Sequence, residues 1–174
     1  MMDTPKAVNR GDYMPNSLEI QVGHLLRDGG LKLVLAESCT GGLLSSRITD
    51  VSGSSEYFLG GVVAYAYDAK ADLLGVSWDT LNTKGAVSRE TVLEMARGIR
   101  NLMKADIAVS VSGIAGPGGG TPEKPVGTTW IGLATENGEW AKSYQFSGDR
   151  EANKISAADA ALNLLLGFLQ GKAI

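Results

Sequence analysis

The fold is decided by residues 31–48, which read LKLVLAESCTGGLLSSRI. Residues 31–36 form an apolar run of strand length, and residues 37–42 follow at once with the polar and glycine residues of a tight turn. An apolar-periodic stretch then continues through Ile48, which predicts a helix. We therefore expect a strand, a tight turn and a helix, in that order.

The residues on both sides of this unit predict further helices and strands. Ser17 can cap a first helix that Gly29 and Gly30 end, and Ser88 can cap a later helix. The Asn-Gly pair within residues 136–139 predicts the turn of a hairpin. The other predicted strands are residues 62–67, 107–111, 128–134 and 140–146, and the other predicted helices are residues 18–28, 69–74, 89–103 and 150–169.

The order of these elements predicts the fold class. Helices and strands alternate first and an antiparallel pair follows, which indicates an α/β fold, a three-layer α/β/α sandwich around a mixed, mostly parallel sheet. Functional sites in such sheets lie at the carboxyl ends of the strands. Residues 37–42 and the glycine-rich residues 112–121 both follow predicted strands, so we expect them to form the site.

Length and composition predict one folded domain. The chain has 174 residues, of which 44% are hydrophobic and 20% are charged, and this suits one core rather than two independent domains. Residues 1–16 lack apolar periodicity and are expected to be a flexible leader. The single domain is then expected to comprise residues 17–174.

Charge and composition also limit the partners and cofactors. The net charge of −3 leaves no broad cationic surface, which disfavours nucleic-acid binding. Cys39 and His24 are the single cysteine and histidine, so they provide no internal disulfide and no zinc site, although a carboxylate-bound Mg²⁺ stays open. No apolar run is long enough for a signal or a bilayer span, which predicts a cytoplasmic protein without membrane contact. Self-association through apolar helix faces stays open.

Ser38 is the candidate nucleophile of the tight turn. It follows a strand and precedes a helix, so the N–H groups of residues 39–42 can stabilise an oxyanion beside it. Alternatively, Ser38 or Thr40 is a simple helix N-cap. Cys39 competes as a nucleophile, but a small cysteine packed inward is the commoner outcome.

Lys70 is the candidate base, because the single histidine, His24, lies off the apolar face of the first predicted helix and is expected to face solvent rather than to form a Ser-His-Asp triad. Burial lowers the pKa of a lysine and lets its amine take a hydroxyl proton. The alternative is a solvated surface lysine. Tyr65 and Tyr67 are expected to share one face of their strand, where they either meet the site or pack in the core.

The glycine-rich loop of residues 113–120 and Arg150 are candidates for anion binding. The loop lacks the Lys-Ser/Thr ending of a P-loop and the Gly-x-Gly-x-x-Gly of a dinucleotide site, so it either binds an anion through N–H groups or is a mobile turn. Arg150 begins the last predicted helix and either holds a phosphate or is an ordinary exposed arginine.

Five separated motifs resemble those of one family. They are ESCTGG at residues 37–42, GSS at 53–55, GAVS at 85–88, SGIAGP at 112–117 and KPVGT at 124–128. In this set and order they resemble the CinA carboxy-terminal domain family, whose PncC type are nicotinamide-nucleotide amidohydrolases, over about residues 17–170. The resemblance implies an anticodon-binding-domain-like α/β/α sandwich.

The same resemblance implies an activity. Such enzymes hydrolyse the carboxamide of nicotinamide mononucleotide (NMN) to nicotinic acid mononucleotide and ammonia, in the recycling of pyridine nucleotides to NAD, without a metal or other cofactor. A non-catalytic nucleotide-binding module of the same fold is the alternative.

The resemblance also assigns roles to residues of this sequence. The family's serine nucleophile falls on Ser38, and its tyrosine and lysine fall on Tyr65 and Lys70, so the resemblance implies that all three are catalytic, with Lys70 or Tyr65 as the proton acceptor. Ser112 stands where the family usually has threonine, and Arg150 matches the arginine expected near the substrate phosphate. The candidate substrate-binding residues are Thr40, Gly41, Gly42, Ser112, Gly113, Gly116 and Arg150.

Overall fold

A computed structural model describes residues 17–173 of the chain, which form five strands and six α-helices. The predicted leader of residues 1–16 lies outside the described residues. A short 3₁₀ turn, Ser54–Glu56, precedes the second strand. The elements are α1 (Leu18–Asp28), β1 (Leu33–Glu37), α2 (Leu43–Thr49), β2 (Phe58–Val63), α3 (Tyr67–Leu74), α4 (Trp78–Thr83), α5 (Arg89–Met103), β3 (Ile107–Gly113), β4 (Thr128–Thr135), β5 (Gly138–Gln145) and α6 (Arg150–Leu169).

The strands form one mixed sheet in the order β2-β1-β3-β4-β5. Strand β1 pairs in parallel with both β2 and β3, so Leu35 lies opposite Gly61 on one side and Val109 on the other. Strand β4 is antiparallel to β3, and β5 is antiparallel to β4 and so runs with the first three. The predicted mixed, mostly parallel sheet is confirmed.

Helices cover both faces of this sheet, because successive residues of β1 point to opposite sides. Leu33 and Leu35 pack in a core with α1, α2 and α6, whereas Val34 and Ala36 pack in a second core with α3, α4 and α5. The cores lie on the two sides of a single sheet. The predicted three-layer α/β/α sandwich is confirmed.

Of the two predicted serine caps, only Ser88 makes a capping hydrogen bond. The Ser88 hydroxyl accepts a hydrogen bond from the Thr91 N–H at the start of α5, as expected. Ser17 does occupy the N-cap position of α1, but its side chain makes no capping hydrogen bond. Gly29 follows the last residue of α1, where the sequence predicts the end of the helix.

The predicted strand of residues 62–67 is wrong in its bounds. Strand β2 begins at Phe58 and ends at Val63, and Tyr67 is the first residue of α3. The glycines within β2 resemble turn residues in the sequence, but a Cβ at Gly61 would lie 2.7 Å from the Ser45 hydroxyl oxygen of α2. Glycine therefore allows the close approach of α2 to this edge strand. As a consequence, Tyr65 and Tyr67 do not share a strand face.

Candidate active site

The candidate site lies where β1 and β3 end, as the order of elements predicts. Ser38 follows the last residue of β1, and its N–H donates to the Val111 carbonyl oxygen of β3 at 2.9 Å. Helix α3 brings Lys70 to the same place from the neighbouring layer. The backbone of the central sheet thus holds the candidate nucleophile, and a separate helix supplies the candidate base.

Lys70 contacts Ser38 directly in a buried setting. Its Nζ lies 3.0 Å from the Ser38 Oγ, 2.7 Å from the Ala64 carbonyl oxygen and 3.0 Å from the Tyr65 carbonyl oxygen. The lysine side chain is fully buried, and Ser38 is only 7% exposed. The alternative of a solvated surface lysine is therefore wrong, because Lys70 is enclosed beside Ser38.

The surroundings of Lys70 make its neutral form more accessible than that of an exposed lysine. Burial lowers the pKa of Lys70 to about 8, and a negative charge on the Cys39 sulfur would act in the opposite direction. Ala64 and Tyr65 present carbonyl oxygens, which can only accept hydrogen bonds. A neutral amine donates its two hydrogens to these carbonyls, so its lone pair faces the Ser38 hydroxyl. This geometry suits removal of the hydroxyl proton.

The buried carboxylate of Glu37 organises the turn after β1. Its Oε2 accepts from the Thr40 hydroxyl at 2.7 Å, the Gly42 N–H at 3.0 Å and the Leu44 N–H at 3.1 Å. Its Oε1 accepts from the Ser45 N–H at 2.8 Å and hydroxyl at 2.6 Å. Glu37 therefore satisfies the N–H groups that begin α2, which otherwise lack partners within the helix.

Glu37 corrects the expectation that all the N–H groups of residues 39–42 face an oxyanion. The Gly42 N–H is bound to Glu37, and the Gly41 N–H donates to the Ser38 carbonyl oxygen at 3.1 Å. Sequence reasoning missed this role. The signal was a lone acidic residue ending an apolar strand immediately before a turn, and such a carboxylate is buried only when donors surround it.

Cys39 is not a competing nucleophile. Its side chain is 6% exposed and packs in the core with α1, α2 and α6, on the other side of the sheet from Lys70. Burial raises the pKa of the Cys39 thiol to about 11, while the N–H groups of Cys39 and Thr40 act in the opposite direction. The sulfur is therefore a neutral thiol near pH 7, whereas a nucleophile or metal ligand must be a thiolate.

The two tyrosines make contacts with different partners. Tyr65 is 59% exposed, and its hydroxyl accepts from the Arg150 Nη2 at 3.0 Å. The Tyr67 hydroxyl accepts from the Ala86 N–H at 3.3 Å. Within residues 17–173, no hydrogen bond joins the Tyr65 hydroxyl to Ser38 or Lys70. Among the described residues, Tyr65 reaches Lys70 only through its backbone carbonyl oxygen, so the predicted catalytic role of its hydroxyl stays a prediction.

Arg150 links α6 to the glycine-rich loop and to Tyr65. Its Nη1 donates to the Gly116 carbonyl oxygen at 2.8 Å, and its Nη2 donates to Tyr65. It lines an open cavity of about 440 Å³ beside the turn of residues 38–42. The cavity is lined by Leu43, Arg150, Glu151, Lys154 and Ile155.

The glycines predicted to bind substrate have different local reasons for lacking a side chain. Gly41 and Gly42 adopt positive φ angles of 63° and 94°, which glycine tolerates best. A Cβ at Gly113 would lie 2.5 Å from the Thr129 hydroxyl oxygen, and one at Gly116 would lie 2.6 Å from Val126. Gly41 alone among the four is exposed, so it is the one best placed to meet a ligand.

The hydroxyls of Thr40 and Ser112 are already engaged. Thr40 is fully buried and donates to Glu37, as described above. The Ser112 hydroxyl, 1% exposed, donates to the Ala86 carbonyl oxygen at 2.8 Å and so ties β3 to the segment before α5. Both side chains support the backbone of the site. Their predicted contact with substrate stays a prediction.

None of the helices among residues 17–173 combines the length and the apolarity that a membrane span requires.

Comparison with known proteins identifies relatives along most of the chain. A family model described as the CinA C-terminal domain matches residues 15–169. The chain is 51% identical to a CinA-like protein from Geobacter sulfurreducens, over 86% of this chain and 36% of that protein. It is 50% identical to a nicotinamide-nucleotide amidohydrolase PncC from Enterobacter agglomerans, over 87% of this chain and 93% of that protein. The chain thus spans well under half of the first relative and nearly all of the second.

Solved structures show the same fold. A CinA superfamily protein from Klebsiella pneumoniae superposes with a TM-score of 0.86 at 36% identity, covering 88% of this chain and 96% of that one. A competence/damage inducible protein from Agrobacterium tumefaciens superposes with a TM-score of 0.84 at 39% identity, covering 92% of this chain and 99% of that one. Motifs, fold and relatives agree, and the chain belongs to the CinA C-terminal domain family.

Proposed function

We propose that this chain is a nicotinamide-nucleotide amidohydrolase, which hydrolyses the carboxamide of NMN to nicotinic acid mononucleotide and ammonia. The relative from Enterobacter agglomerans named for this activity supports the proposal, because it matches this chain over nearly its whole length. The observation that carries it is the buried Lys70 Nζ at 3.0 Å from the Ser38 Oγ. Such a pair can form and hydrolyse an acyl ester.

In the first half of the proposed reaction, the Ser38 Oγ attacks the carboxamide carbon while neutral Lys70 takes the hydroxyl proton. The C–N bond then breaks, and Lys70 returns the proton to the departing nitrogen, which leaves as ammonia. In the second half, Lys70 takes a proton from water as the water oxygen attacks the ester carbon. The C–O bond to Ser38 breaks, the serine is reprotonated and the carboxylic acid leaves.

The oxyanion of each tetrahedral intermediate needs hydrogen-bond donors close to Ser38. The N–H groups of Gly42, Leu44 and Ser45 are bound to Glu37, and that of Gly41 is bound to Ser38 itself. The two remaining N–H groups, those of residues 39 and 40, interact with the Cys39 sulfur, and we assign the oxyanion to them in exchange for this weak acceptor. Of the four predicted donors, these are the two that neither the Glu37 carboxylate nor the Ser38 carbonyl oxygen binds.

Tyr65 and Arg150 are proposed to hold the rest of the substrate. The guanidinium of Arg150 can donate to a phosphate, and its contacts with Gly116 and Tyr65 fix its orientation. The exposed ring of Tyr65 can stack on the cationic pyridinium of NMN. The product is a nicotinic acid nucleotide, which suits pyridine nucleotide recycling in the cytoplasm.

Replacing Ser38 by alanine tests the proposal. The purified chain is incubated with NMN, and ammonia is measured with and without a chelator. We expect Ser38→Ala to lower ammonia release by at least about 1,000-fold, since loss of a single oxyanion donor alone typically costs about 100-fold to 1,000-fold. The matched control is Ser46→Ala, which removes an exposed hydroxyl one turn into α2.

The two alternatives predict different results in the same assay. Wild-type turnover by Ser38→Ala would contradict the covalent mechanism. Tight binding of NMN without ammonia release by the wild type would favour a non-catalytic nucleotide-binding module. Loss of turnover on adding the chelator would contradict the expectation that the reaction needs no metal.

A further inference from the structure

Two cations of α6 line one cavity beside the end of the turn that follows β1. Arg150 and Lys154 are four residues apart, so they lie on the same face of the helix. Both line the cavity of about 440 Å³, whose other lining residues are Leu43, Glu151 and Ile155. The proposed function uses only Arg150 of this pair. Lys154 has no role in the proposed function.

Lys154 lies next to the turn that holds Ser38. An ideal Cβ built on Gly41 would be 3.8 Å from the Lys154 Nζ, and the Gly41 N–H donates to the Ser38 carbonyl oxygen at 3.1 Å. Because Gly41 is exposed and has no side chain, nothing at this position separates the ammonium group from the space over the turn. Lys154 therefore lies beside the exposed end of the turn that begins at Ser38.

The charges of this cavity lack carboxylate partners. Arg27, Arg47 and Arg97 form ion pairs with glutamate or aspartate side chains. In the part of the chain that the structure describes, neither Arg150 nor Lys154 forms an ion pair. Arg150 instead donates to two uncharged oxygens. One carboxylate, Glu151, lines the cavity against the two cations, which leaves an excess of positive charge.

We propose that Lys154 is a specificity-determining residue that binds the phosphate of the substrate together with Arg150. This inference rests on the proposed function. Two Arg150 N–H groups are committed to Gly116 and Tyr65, so a dianionic phosphate monoester gains donors and charge from a second cation. Lys154 then makes the enzyme prefer a pyridine nucleotide over the corresponding nucleoside, which has the same carboxamide and no phosphate.

The test compares two substrates that differ only in the phosphate, NMN and nicotinamide riboside. For Lys154→Ala we expect KM for NMN to rise about tenfold with kcat within about twofold, the size of one lost charged hydrogen bond at a half-buried position. KM for the riboside is expected to stay unchanged. Lys154→Arg is expected to restore most of the affinity for NMN. The control is Lys142→Ala, which removes an exposed lysine of β5.

Each outcome decides between the two proposals. An equal rise of both KM values, or no rise of either, while the wild type still releases ammonia, overturns the role of Lys154 alone. A melting temperature of Lys154→Ala equal to that of the wild type shows that a changed KM reflects binding rather than folding. If the wild type releases ammonia from neither substrate, the proposed function fails, and the role of Lys154 fails with it.

Discussion

Lys70 is the residue whose environment most directly predicts a measurable behaviour. Its pKa of about 8 means that the amine is mostly protonated below pH 8 and mostly neutral above it. Only the neutral form can accept the Ser38 proton. We therefore expect kcat/KM to rise about tenfold per pH unit below an apparent pKa of about 8 and to level off above it, because kcat/KM reports the free enzyme.

The pH profile of ammonia release between about pH 6 and about pH 10 measures this effect. Lys70→Arg keeps a positive charge at every pH in this range and is expected to be inactive throughout. Lys142→Ala is expected to keep the wild-type profile. A rate that does not change with pH in the wild type would contradict the assignment of Lys70 as the base.

The buried Glu37 carboxylate is expected to stabilise the fold. Five hydrogen bonds converge on its carboxylate, and the side chain is fully buried. Glu37→Gln keeps the shape but places an NH₂ group against hydrogen-bond donors. We expect the free energy of unfolding to fall by about 2–4 kcal/mol, since charged hydrogen bonds contribute about 1.5–3 kcal/mol each and donors are left unpaired.

Urea denaturation of Glu37→Gln measures this loss, and Glu123→Gln is the control, because Glu123 is an exposed loop residue. The activity of Glu37→Gln is expected to fall as well, since the turn that presents Ser38 loses its anchor. A Glu37→Gln protein as stable as the wild type would show that the carboxylate is dispensable.

At the scale of elements, the contact between α3 and α5 sets the position of Lys70. A Cβ at Gly98 of α5 would lie only 1.8 Å from the Leu74 carbonyl oxygen at the end of α3. Gly98→Ala must push the two helices apart, so we expect a loss of at least about 2 kcal/mol in the free energy of unfolding. Activity should fall too, because α3 carries Lys70.

The matched control is Gly167→Ala in α6, where a Cβ would have no neighbour within 4 Å. There we expect a gain of about 0.5–1 kcal/mol from the better helix propensity of alanine, without loss of activity. Thermal or urea denaturation of both variants compares the two sites. A Gly98→Ala variant that is no less stable than Gly167→Ala would contradict the close packing of α3 on α5.

The bounds of β1, α2 and α5 could be predicted closely, whereas those of β2 could not. Apolar periodicity and caps are local signals, and they suffice for β1 and for the capped start of α5 at Ser88. Edge strand β2 contains Gly60 and Gly61, which locally resemble a turn. Its extended conformation depends on pairing with β1, a partner that the local sequence does not specify.

At the scale of the whole molecule, the sheet order places the site. Strands β1 and β3 are neighbours and parallel, so the turn after β1 and the glycine-rich loop after β3 lie together at the carboxyl ends of these strands. The chain as a whole carries a net charge of −3, yet this end of the sheet presents two cations without carboxylate partners among the described residues. Local charge there, rather than the total, suits an anionic substrate.

The sequence by itself determined the α/β layering, the strand-turn-helix unit around Ser38 and the family motifs, because these depend on residues close together in the chain. Only the tertiary structure decided that Lys70 meets Ser38 across 32 residues, that Cys39 is buried on the opposite face and that Glu37 fills the start of α2. The physical reason is burial. Loss of water lowers the pKa of Lys70, raises that of Cys39 and demands partners for Glu37, and burial follows from packing that local patterns do not contain.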